Sequence, residues 1–170
     1  EMRPFFWKNK KKIPVYGSKR TINELKKKYE FCFKERHGYK PIMKAHFIKN
    51  KFTIKKEKNN LLIDSFNVSH GMINATGFVF DGIAYINDCN KISSNAIKKL
   101  KNLNFLIIDC LRIDKHPSHF NYSDALELIK KIKPKKSILT NLHVDFDYFK
   151  LKQKLPNNII PAYDGLSFNF

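Results

Sequence analysis

The sequence predicts an α/β fold, a sandwich of β-sheet with helices on its outer faces. Three observations carry this. Residues 41–66 alternate apolar and polar side chains in short runs, the period of half-buried strands. Asp81-Gly82 stands between two apolar runs, the strongest short hairpin signal in the chain. After residue 87 the rhythm becomes strand, helix, strand, helix, as in βαβ units.

Each element has a local reason. A short apolar run at 13–16 follows a lysine cluster. Ser18 then opens a helix, with Thr21 and Glu24 at capping-box spacing and Ile22, Leu25 and Tyr29 on one face. Strands are expected at 44–48, 52–56, 61–66, 77–80 and 83–86. Ser93 caps a helix that aligns Ile97 with Leu100. Residues 105–108 are continuously apolar, the pattern of a strand buried on both faces. Ser123 caps a helix presenting Leu126, Ile129 and Ile132 and ending at Pro134. A strand at 137–140 follows, and 166–170 closes the chain. With no repeats, low-complexity tracts or Gly/Ser linkers, residues 1–170 read as one domain.

Composition narrows the classes. The chain is 42% hydrophobic and 14% aromatic, enough to bury a core and far from disordered compositions. No run of about 18 apolar residues is present to span a bilayer. Cys32, Cys89 and Cys110 are scattered in or beside apolar runs without paired spacing, which suggests reduced thiols and a cytoplasmic location. The net charge of +18 is nearly all lysine, with Arg3, Arg20, Arg36 and Arg112 as the arginines. Phosphate and base recognition favours the arginine fork. The lysines rise together with Asn and Ile, so the charge reads first as a solvated surface and second as an RNA-binding one.

The informative feature is where polar residues fall. Four apolar runs each lead into groups able to bind a metal or move a proton: His70; Asp88 and Cys89; Asp109, His116 and His119; His143 and Asp145. In layered α/β folds ligands bind outside the carboxyl ends of strands. A lone histidine or aspartate at such a place is usually structural, a turn former or a cap. His37, in a polar stretch, and His46, inside a strand pattern, receive that reading. For His70, Asp88, His119 and His143 the argument is their joint recurrence.

Asn-Val-Ser-His70-Gly, Gly-Phe-Val-Phe at 77–80 and Tyr-Ile-Asn-Asp88-Cys resemble the middle of metallo-β-lactamase-fold hydrolases. The resemblance continues through Leu-Ile-Ile-Asp109-Cys-Leu-Arg, His116-Pro-Ser-His119-Phe, Thr140-Asn-Leu-His143 and Pro161-Ala-Tyr-Asp164-Gly. It is strongest toward the branch containing the phosphoribosyl cyclic phosphate phosphodiesterases. It implies a metallo-β-lactamase-type αββα sandwich holding two divalent metal ions, zinc or manganese. By the resemblance His70 would complete the ligands of one ion, Asp88 would bridge both and His143 would serve the second. His119 would be the general acid or base, and Asp109, Asp164 and His116 would stand behind the ligands and hold them. A hydroxide between two cations about 3.5–4 Å apart would attack phosphorus in line.

Two departures bear on this. The family's His-x-His-x-Asp-His does not occur in the sequence, and it is expected just before Glu1. The chain is therefore expected to be an N-terminally truncated portion of the fold, inactive alone and poorly soluble. Relatives also carry histidine directly after Thr140, where this chain has Asn141, so His143 is expected to take over the ligand role. The function implied is a phosphodiesterase on a small cyclic or sugar phosphate. The alternatives are an RNA-processing nuclease of the same fold, resembling the enzymes that mature transfer-RNA 3′ ends, and an inactive binding module. A homodimer stays open.

Overall fold

The computed structural model describes residues 2–55 and 59–169. Where the sequence shows no linker, the chain nonetheless divides into two compact units, Glu1–Asn50 and Lys51–Phe170, each with its own sheet.

In the first unit, α1 (Arg3–Asn9) has Pro4 in its first turn, where no N–H is needed, and ends on the left-handed Lys10. A two-stranded parallel sheet pairs β1 (Ile13–Gly17) with β2 (Met43–Phe47). The crossover between them is α2 (Lys19–Lys28) and α3 (Glu30–Phe33). Ser18 caps α2 as expected, its hydroxyl accepting from the Thr21 N–H at 3.1 Å. Ile22 is fully buried and anchors that helix. The single turn of α3 and the helix α1 carry no sequence signal strong enough to foresee.

The second unit holds a seven-stranded sheet in chain order. It runs β3 (Lys51–Lys55), β4 (Asn60–His70), β5 (Ile73–Phe80), β6 (Ile83–Ile86), β7 (Phe105–Asp109), β8 (Lys136–Thr140) and β9 (Ile159–Pro161). Pairing is antiparallel from β3 to β6 and parallel from β6 to β9. Asp81 and Gly82 both have positive φ (46° and 76°), the turn that matches strand twist at the β5–β6 hairpin. The last residue of the strand expected at 52–56 lies outside the described residues.

Three expectations are corrected here. The strand expected at 61–66 continues to His70, because Gly71 (φ 60°) and Met72 close a second hairpin that pairs His70 with Ile73. Polar Asn67 and Ser69 hide the alternation that carries it. The helix expected from Ser123, α5 (Tyr122–Ile132), is capped by Asn121, whose Oδ1 accepts from the Asp124 N–H at 2.9 Å and from the Ser123 hydroxyl at 3.1 Å. Its buried side adds Ala125 and Leu128 to the expected Ile129, and the expected Leu126 and Ile132 are half-buried against the same core. Residues 166–169 form no strand; the sheet closes with β9, reached through the unforeseen helix α6 (Tyr148–Lys154). Phe168 instead stacks on Phe105, with ring centroids 4.4 Å apart, and Phe170 lies outside the described residues.

The helix capped by Ser93, α4 (Ser94–Ile97), is one turn long. The parallel strands bury both faces. Ala84, Ile86, Leu106, Ile108 and Leu139 face one apolar cluster; Ile83, Phe105 and Ile138 face another. Asp109 ends β7 fully buried at the edge of the first cluster. Among the described residues no helix is long and apolar enough to cross a membrane, and Cys32, Cys89 and Cys110 are all buried.

Candidate metal centre

The site is built at the carboxyl ends of β6, β7 and β8 and at the turn after β4. His70, the last residue of β4, has Nδ1 2.8 Å from the carbonyl oxygen of Ser118. A carbonyl only accepts, so His70 carries its proton on Nδ1 and keeps the Nε2 lone pair free. His119 has Nδ1 2.8 Å from Asp109 Oδ2. The same argument leaves its Nε2 free. Asp88 lies two residues past β6 in the left-handed region (φ 52°), which aspartate enters more readily than most residues. Its Oδ1 is 3.9 Å from His119 Nδ1. The rings of His70 and His119 meet edge to face with centroids 4.6 Å apart.

One donor atom from each of His70, Asp88 and His119 lies within 4.8 Å of the others. Two imidazoles and a carboxylate are the donors expected of zinc or manganese, and each imidazole has the acceptor behind it that fixes the ligating tautomer. The set therefore fits a divalent metal.

Asp109 is the hub. Its Oδ2 accepts from His119 and, at 3.0 Å, from the backbone N–H of Cys89; its Oδ1 accepts from Asn141 Nδ2 at 3.0 Å. The surroundings are dry. Burial, with Asp109 adding to it, pushes both the Cys89 and the Cys110 thiol up to about 12. A second tie holds the loops. Asn90 accepts from the Gly71 N–H at 3.2 Å and donates to the Pro117 carbonyl at 2.8 Å, joining the turn after β4 to the loop that carries His116 and His119.

The remaining expected residues fall around this group. His116 has Nδ1 3.3 Å from both the N–H and the hydroxyl of Ser118, and its ring lies 5.0 Å from that of His119. Its pKa is lowered, first by desolvation and then by the neighbouring charges of His119 and Arg112. His143 stands outside the three-residue group, half-exposed, with Nδ1 2.9 Å from Asp145 Oδ1. Arg112 Nε lies 3.5 Å from the other oxygen of Asp145, an ion pair without hydrogen-bond geometry. Asp164 is exposed in a turn and is not one of the three residues whose donor atoms converge. The two histidines read as structural stay so: His46 stacks on Tyr16 at 4.9 Å, and His37 occupies a left-handed turn position. Asn90, the Ser118 carbonyl and the amide of Asn141 were missed as supporting groups, since an amide or a carbonyl has no distinctive sequence signal.

Residues 1–141 match the family described as the beta-lactamase superfamily domain. The chain belongs to that family. The chain is also 25% identical over 170 residues to an octanoyltransferase of Porphyromonas gingivalis, covering 98% of this chain and 34% of that protein. Its fold is similar to a crystal structure of a diphosphatase from the PhnP family, with a TM-score of 0.82, 24% identity and coverage of 94% of this chain and 59% of that one. It is also similar to the short form of human tRNase Z, with a TM-score of 0.60 and 16% identity over 92% of this chain and 67% of that one. These likenesses give the superfamily chain a metallo-β-lactamase fold. It spans about a third of the length of the curated relative and about three-fifths of the diphosphatase.

Proposed function

We propose that this chain carries part of the site of a metal-dependent hydrolase, a phosphodiesterase acting on a small cyclic or sugar phosphate with two divalent ions, zinc or manganese. The observation that supports the reading is the convergence of His70, Asp88 and His119 donors within 4.8 Å. When bound, such ions supply Lewis acidity toward a phosphoryl group and activate water near neutral pH.

The chain's own residues do the rest. The Ser118 carbonyl orients His70, and Asp88 offers two oxygens, enough to serve two cations. His116 has its Nδ1 facing the Ser118 N–H, so its proton sits on Nε2, where it can donate to a phosphoryl oxygen. His119 has two uses, as a ligand through the Nε2 lone pair or, once Nε2 has itself taken up a proton, as the imidazolium that passes that proton to the leaving oxygen. The Asp109 contact serves either, because it keeps the ring fixed and its proton on Nδ1. His143, steadied by Asp145, is assigned to the second ion.

Metal content and turnover of an aryl phosphodiester, measured on the full-length protein and three variants, test this. His70→Ala and Asp88→Asn are expected to lose metal and turnover together. His119→Ala decides between its two uses: retained metal with lost turnover makes it the proton donor, and lost metal makes it a ligand. A full-length protein with neither metal nor turnover removes the enzyme reading and leaves a binding module.

One observation favours a second reading, an RNA substrate. Residues 1–50 hold fifteen Lys and Arg against four acidic residues, a surplus of eleven out of the net +18. Affinity for RNA that falls steeply with salt would support it, because phosphate contacts release counterions.

A further inference from the structure

We infer that Asn141 is a positioning residue for His119, acting through Asp109 as an amide clamp; this rests on the reading that His119 serves the site. Asp109 is fully buried, so both of its oxygens need donors from the protein. Oδ2 takes two, from His119 at 2.8 Å and from the Cys89 N–H at 3.0 Å. Oδ1 takes the Asn141 amide at 3.0 Å. Asn141 Nδ2 is also 3.3 Å from His119 Nδ1. Both of those nitrogens are donors, so their closeness is tolerated because they converge on one carboxylate. Without the amide, Oδ1 would lose its donor and the carboxylate, held through Oδ2 alone, would turn more easily. The His119 ring would then lose the fixed acceptor that keeps its proton on Nδ1.

The backbone agrees. Register pairs Asp109 with Thr140, so residue 141 is the first beyond the paired end of β8. Asn141 there has φ 63°, a left-handed conformation that asparagine enters far more readily than β-branched or bulky residues. A short side chain leaving β8 from that conformation reaches back to the end of β7. Position 141 thus asks for positive φ, short reach and an N–H donor. Asparagine meets all three, whereas aspartate meets the first two and places a second carboxylate against Asp109.

The test is 15N-edited NMR of the histidine rings in the full chain without metal, at about pH 9 where imidazoles are neutral. The spectra separate Nδ1–H from Nε2–H forms. The wild type is expected to show His119 as Nδ1–H. Asn141→Gly keeps the positive φ without strain and removes the amide, and is expected to leave His119 as a mixture of both forms. Asn141→Ala also removes the amide and serves if the glycine variant folds poorly. An unchanged His119 tautomer in a folded variant overturns the inference. A zinc titration gives the second readout, with affinity expected to fall 10–100-fold, the usual effect of removing a group behind a ligand. Tautomer loss in a chain that binds no zinc would support the clamp while removing the metal-dependent reading, so the two ideas fail separately.

Discussion

Two imidazole–carboxylate pairs in this molecule have nearly the same contact and opposite surroundings. His119 meets Asp109 at 2.8 Å, and His143 meets Asp145 at 2.9 Å. The Asp109 side chain is 0% exposed and takes two further donors, from Cys89 and Asn141. The Asp145 side chain is 33% exposed and shares its second oxygen with Arg112 at 3.5 Å. The contact alone therefore says little about how firmly a ring is held. What differs is the number of alternatives each carboxylate has: water can replace a lost partner at Asp145, and nothing can at Asp109. The pair that belongs to the metal-capable group is the one without alternatives.

The largest expected effect tests that difference directly. Asp109→Ala leaves the Cys89 N–H, the His119 N–H and the Asn141 amide without their acceptor in a dry site. Each orphaned buried donor costs about 1–3 kcal/mol, so a loss of at least about 3 kcal/mol in unfolding free energy is expected by urea denaturation. Asp145→Ala, by the same measurement, is expected to cost under about 1 kcal/mol, as for an exposed pair. Equal losses in the two variants would remove the comparison.

The dryness around Asp109 has its own signature in alkali. Cys89 and Cys110 are buried thiols raised to about 12 from an ordinary 9.0, chiefly by desolvation. A raised thiol pKa means that the unfolded chain loses its proton first. The stability this represents is intact below about pH 9 and is lost as pH climbs toward 12. The slope is about 1.4 kcal/mol per pH unit for each thiol once the unfolded form has ionised. Cys110→Ala should remove close to half of that slope between pH 9 and 11, measured by denaturation at several pH values. An unaltered slope would show that water reaches Cys110.

These contrasts also explain what the sequence disclosed. The parallel strands β7 and β8 were legible because strands buried on both faces leave unbroken apolar runs, as at 105–108. The β5–β6 turn was legible because Asp and Gly enter the positive-φ conformations that a two-residue hairpin turn requires more readily than most residues. His70, Asp88 and His119 were legible as strand-end groups. The grouping of His119 with the other two, leaving His143 aside, was not, because it depends on how the loop from 112 to 121 folds back. That path is set by Asn90, Gly71 and backbone bonds such as the Phe120 N–H to the Cys89 carbonyl at 2.6 Å, which have no pattern in one chain. The cap at Asn121 was misassigned to Ser123 for a related reason: both residues can cap, and tertiary pairing of Tyr122 N–H with the Arg112 carbonyl at 2.9 Å fixes which one does.

A smaller effect is expected on the other side of the group. Gly71 has φ 60°, and a Cβ added there would stand 3.0 Å from the Ser118 Cβ. Ser118 is the residue whose carbonyl orients His70, so the strain falls on that contact. Gly71→Ala is expected to cost about 1–2 kcal/mol from the left-handed backbone and to move Ser118 by a few tenths of an ångström. Zinc affinity should fall more than this stability loss suggests, because His70 would lose its fixed acceptor. Unchanged affinity with lowered stability would mean that His70 is held by its place at the end of β4 rather than by the Ser118 carbonyl.

The smallest effect is the most discriminating for His143. Asp145→Asn keeps the size of the side chain and removes the charge shared by His143 and Arg112. If His143 serves a second ion, the acceptor behind its ring matters to that ion alone. One of two bound zinc ions should then weaken, with stability almost unmoved, since the pair is open to water. Loss of both ions together would place His143 in the same cooperative unit as His70, Asp88 and His119. Loss of neither would leave His143 without a part in metal binding, and the His70, Asp88 and His119 group as this chain's contribution.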